Sequence, residues 1–85
     1  MDTIKFANGV VFNCSFLATV PEGIAIIALD SVSFTDAAAI FSNQDMTREM
    51  QWGTYRLVGY TTLTALYVQP YGVQAVLSGG HDEIL

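Results

Sequence analysis

Cysteine, positive charge and leader signals are all scarce in this chain of 85 residues. Cys14 is the single cysteine, so no internal disulfide can form and a reducing compartment is permitted. A metal centre needs three or four ligands at set spacing, and one cysteine with one histidine, His81, does not supply them. Only Lys5, Arg48 and Arg56 are basic, and the net charge is -5. A phosphate backbone is gripped by clustered cations, so nucleic acid is not an expected partner. No apolar run approaches the roughly 20 residues of a membrane span. The opening MDTIKFANG lacks the charged-then-apolar pattern of a leader, so the expectation is a soluble protein with no membrane partner. A phosphate-cradling loop is missing too, because Gly79-Gly80 is not followed by a helical pattern. No cofactor is expected.

Apolar side chains, by contrast, are abundant. They make up 52% of the chain while charged residues make up 13%, against a usual charged share of about 25%. A domain this small buries only about 60–65% of its unfolded surface. The surplus apolar surface is expected at a subunit interface, most simply that of a homo-oligomer.

One stretch reads as helix, Ser33 to Trp52. Ser33 with Asp36 three residues on forms a short capping box, the carboxylate facing the positive end of the helix dipole, with Thr35 as an alternative cap one register later. Phe34, Ala37, Ala38 and Phe41 follow the i, i+3, i+4, i+7 spacing of one apolar face. Ser42-Asn43 weakens the helix, a second short turn is expected over Asp45 to Met50, and Gly53 ends it.

The remainder reads as strand. Ile4 and Phe6 share one face before Asn8-Gly9, the dipeptide of a type I′ hairpin turn. From Val10 to Val20 the even positions Val10, Phe12, Cys14, Phe16, Ala18 and Val20 form one apolar side, which buries Cys14 as a small core residue. Pro21-Glu22-Gly23 turns the chain into Ile24–Leu29, apolar on both faces and so a central strand. Thr54 to Gln69 has no clean apolar parity, which predicts a kink or bulge near Gly59 or a break near Thr64. Pro70-Tyr71-Gly72 turns into a closing strand, Val73 to Leu77. The order β-β-β-α-β-β predicts an α+β fold: a mostly antiparallel, curled sheet with one helix packed on a face. Residues 1–78 form the single domain, and 79–85 are set apart as a flexible C-terminal tail.

Chemistry is thinly signalled. A Cys14–His81–Asp82 set can be drawn, yet it needs the tail to fold over a buried thiol, while nucleophilic catalysis needs an accessible thiolate beside its base. Asp45 and Glu49, at i and i+4, read as a solvated helix face. The chain therefore reads as a non-enzyme with no catalytic, cofactor or metal residues. Trp52, Tyr55, Tyr60, Tyr67 and Tyr71 are the candidate interface residues, since aromatic side chains dominate binding hot spots when exposed.

The strand-turn IKFANG, the helix start SFTDAAAIF, the segment DMTREM and the hairpin YRLVGYTTL…VQPYGVQAVL run over most of the chain. In style and order they resemble small proteins from the tail or structural gene modules of phages and prophages of gut Firmicutes. That resemblance implies a structural or tail-associated component, working through protein contacts and oligomerisation in the bacterial cytoplasm or on the virion. It carries over no active-site residues. The alternatives are a phage accessory protein that inhibits a host enzyme, and a small-ligand or carbohydrate-binding module built on the Tyr and Trp cluster.

Overall fold

A computed structural model describes residues 2–20, 23–42 and 49–84. Eight strands and one helix follow in the order β1 (Asp2–Phe6), β2 (Val11–Val20), β3 (Ile24–Asp30), α1 (Phe34–Phe41), β4 (Glu49–Trp52), β5 (Tyr55–Val58), β6 (Thr62–Gln69), β7 (Gly72–Ser78) and β8 (His81–Ile84). All pair antiparallel in one open sheet of order β6-β7-β3-β2-β1-β4-β5-β8. The fold is mostly β with one short helix, which corrects the α+β reading and its five strands.

The sheet curls because its connections are short. Six strand spacings separate β7 from β8 in the order, about 29 Å in a flat sheet. Only Gly79 and Gly80 join them, a link that reaches about 11 Å. Residues 59–61 join β5 to β6 under the same constraint. Residues 55–84 are thus one long hairpin around Pro70-Tyr71, bent in the middle, with β7 added to β3 and β5 added to β4. The predicted kink near Gly59 is this bend, and a register shift between Leu63 and Ala65 puts a bulge at Thr64. At the bend the backbone packs so closely that a Cβ on Gly80 would stand 2.3 Å from the carbonyl oxygen of Val58.

The concave face holds the core. Ile4 and Phe6, Ala25, Ile27 and Leu29, Met50, Leu57, and Val73, Ala75 and Leu77 alternate inward from their strands and are buried. The helix packs against β6 and β7 and buries Ala37 and Phe41. The Phe41 ring meets Phe6 edge-on at 5.8 Å, and Phe6 meets Phe12 at 5.5 Å. Ser33 caps the helix as expected, its hydroxyl accepting from the Asp36 N–H at 3.1 Å. Phe34 departs from the predicted apolar face and is exposed.

Four further differences have physical causes. The expected turn at Asp45 to Met50 lies outside the described residues as far as residue 48, and Glu49 and Met50 open β4 instead. A four-residue strand is too short to display a period. Residues 81–84, expected in a tail, form β8 on β5. All four are exposed, so this strand carries no burial pattern to read. The hairpin at Asn8-Gly9 forms, but only Gly9 has positive φ (90°). Gly9 N–H donates to the Phe6 carbonyl at 2.9 Å, and Asn8 Oδ1 accepts from Val10 N–H at 3.1 Å. That is a three-residue loop with glycine in the left-handed position, not the two-residue type I′ turn.

The fourth difference shapes the surface. Cys14 pairs with Leu29 and Phe16 with Ala28, so Ser15 is an extra residue, a β-bulge. One inserted residue exchanges the faces of everything beyond it. Phe12 and Cys14 point inward as expected, but past Ser15 it is Leu17 that packs on the core while Phe16 turns outward. The even positions of β2 are therefore not one apolar side.

Candidate interaction surface

The five aromatic candidates do not converge. Trp52 ends β4 and stacks on Tyr55 at the start of β5, ring centroids 6.3 Å apart. Trp52 is half-buried, and its indole N–H has no hydrogen-bond partner among the described residues. Tyr67 and Tyr71 lie at the far end of the same hairpin, 53% and 83% exposed. Tyr60 falls at the bend between them and is completely buried. Its hydroxyl donates to Asp82 Oδ1 at 2.8 Å, which locks β8 to the bend. Burial, and then that bond, push the Tyr60 phenol above its ordinary value. Tyr60 therefore belongs to the core and not to a contact surface.

Two depressions among the described residues lack these aromatics. One of about 220 Å³ is lined by Lys5, Phe6, Ala7, Glu49, Met50, Gln51 and Arg56. The concave Tyr and Trp cleft that a carbohydrate module would need is not formed by Trp52, Tyr55, Tyr60, Tyr67 and Tyr71.

The drawn Cys14–His81–Asp82 set does not assemble either. Cys14 is buried on β2, and its thiol donates to the Phe16 carbonyl at 3.2 Å. Burial is the main cause that pushes this thiol up. His81 is exposed on the edge strand, with Nε2 3.1 Å from Glu83 Oε1, and Asp82 turns to Tyr60. Among the described residues no cluster of three His, Cys, Asp or Glu side chains could hold a metal.

What the fold does assemble is a convex face in two unlike halves. Across β1, β4, β5 and β8 the outward residues are polar except Val58, which lies between Glu49 and His81. Lys5 pairs with Gln51, Gln51 with Arg56, and Arg56 with Glu83. Arg56 makes an ion pair with Glu49 and a second, at 3.8 Å, with Glu83. Across the upper part of β2 and β3, β7 and β6 the outward rows are nearly free of charge. One runs Phe16, Ala28, Gln74, Tyr67, and the next runs Ala18, Ile26, Val76, Ala65. Phe16 and Tyr67 are exposed and the other apolar members of these rows are half-buried. Asp30, at the end of β3, is the one charge on the outward positions of this half among the described residues.

Of the sequence candidates, only Tyr67 lies in the uncharged rows. Phe16 and Ile26 escape sequence reasoning because the even parity of Val10 to Val20 reads as the core side and Ile24–Leu29 reads as a covered strand. The one sequence signal for them was that Leu17 and Ile27 compete for the same inward role at the opposite parity. Comparison with family models, curated proteins and solved structures finds no match for this chain.

Proposed function

We propose that the protein is a non-enzymatic interaction component that works by self-association through the uncharged half of its sheet. The observation that carries this reading is that Asp30 is the one charge among the described outward positions of upper β2, β3, β7 and β6, on a chain whose other half is studded with charge. A patch of this kind, rimmed by polar residues, is how an association surface is built. The net charge of -5 makes two copies repel, so they meet where like charges do not face each other. The resemblance to phage tail-module proteins supplies the setting, a structural or tail-associated component assembled in the bacterial cytoplasm, and that setting rests on the resemblance alone. Light scattering tests the reading. The mass in solution rises with concentration above 9.2 kDa, and a 9.2 kDa monomer at high micromolar concentration removes it.

A further inference from the structure

We infer that the seam of self-association is β6 itself, pairing antiparallel with β6 of a second copy about a two-fold axis. This rests on the self-association reading and narrows the contact from the uncharged face to the edge at which its rows end, so that the two faces join side by side and Phe16, on β2, stays outside the seam. The strand ends the sheet and pairs only with β7 among the described strands. Its sequence, Thr62–Gln69, contains no charge, no proline and no glycine, and such an edge is a template for another strand. Large apolar side chains gather at it: Tyr67 is 53% exposed, Val68 is 72% exposed, and Tyr71 follows in the adjoining turn.

The opposite edge excludes the alternative of an open chain. Strand β8 has four residues, and three of them, His81, Asp82 and Glu83, are ionisable. Head-to-tail pairing of β6 with β8 would set that charged edge against an apolar one. Self-pairing of β6 brings no charges together, and identical edges complement each other through backbone groups alone. The bulge at Thr64, whose hydroxyl donates to the Val76 carbonyl at 2.9 Å, ends the regular part of the edge. The regular run is Ala65 to Gln69, so a two-fold pairing of the whole run centres on Tyr67. Leu66 then faces Val68 of the second copy on the inward side, and the two Tyr67 rings meet on the outward side.

The test compares the full chain with Val68→Lys and Phe16→Lys by light scattering over a dilution series, with circular dichroism as a check on folding. The unmodified chain should be dimeric. Val68→Lys should weaken association at least about tenfold, since two cations would enter the seam, while Phe16→Lys should leave it within about twofold. Association that survives Val68→Lys, or that Phe16→Lys abolishes, overturns the β6 seam and leaves self-association standing. A monomeric unmodified chain overturns both. Should Val68→Lys misfold, amide hydrogen exchange on the unmodified chain decides. Protection of Ala65 to Gln69 should rise with concentration, and protection independent of concentration overturns the seam.

Discussion

At one end of the sheet, β6 offers eight residues without a charge; at the other, β8 offers four, three of them ionisable. Both are edge strands of one curled sheet, and both lie beside the same bend, yet they are finished differently. Strand β8 is short, charged and locked by the bond from Tyr60 to Asp82, which are the usual ways of keeping an edge from pairing. Strand β6 has only the Thr64 bulge. The difference teaches that edge protection here is selective: one end is closed to neighbours and the other is left able to receive one.

The largest effect expected on this contrast comes from the bend that holds the two ends together. Gly80→Ala places a Cβ against the backbone of Val58 and Tyr60. It should cost about 3 kcal/mol in urea unfolding, and a loss below about 1 kcal/mol would mean the ends are not pinned there. Of comparable size is the contrast between the two faces of β3. Ile27→Ala empties a fully buried site and should cost about 2–5 kcal/mol. Ile26→Ala, on the outward row, should cost the folded subunit less than about 1 kcal/mol. Equal losses would show that the outward face is covered within the subunit.

A smaller effect tests the lock on β8. Tyr60→Phe removes the hydroxyl bonded to Asp82 and should cost about 1 kcal/mol. The same group makes stability depend on alkaline pH. Tyr60 and Cys14 both hold their protons more tightly folded than unfolded. The stability they lend is therefore complete below their unfolded values, 9.0 for the thiol and 10.0 for the phenol, and is lost as pH rises through the folded values. The thermal midpoint should fall above pH 10 in the unmodified chain and fall less in Tyr60→Phe, with Cys14 supplying the remainder. The same fall in both would mean Tyr60 plays no part. Smallest of all is the charged row. Arg56 and its carboxylate partners are about half exposed, so Arg56→Gln should cost under about 1 kcal/mol, a loss erased by salt.

Much of this architecture is legible in the residues. Ser33 with Asp36 marks the helix start, the bare apolar run Ile24–Leu29 marks an interior strand, and the mixed parity after Thr54 marks the bend and the bulge. What was not legible shares one cause, that local pattern does not record what happens across strands. The bulge at Ser15 leaves the even positions of β2 apolar, so within β2 only Leu17, at the opposite parity, hints that Phe16 faces outward. His81 to Ile84 pair through backbone groups, with no buried side chain to betray the strand. Tyr60 looked like a surface aromatic because its partner, Asp82, lies 22 residues away. The uncharged half of the convex face emerges only when four strands, distant in sequence, are set in register.

The most direct test of the central claim is the mass of the unmodified chain by light scattering across a concentration series at moderate salt. If the uncharged half of the sheet is an association surface, the mass rises from 9.2 kDa towards twice that value and does not fall when salt is raised, since few charges meet in the contact. A mass that stays at 9.2 kDa throughout, or association that salt abolishes, would contradict it.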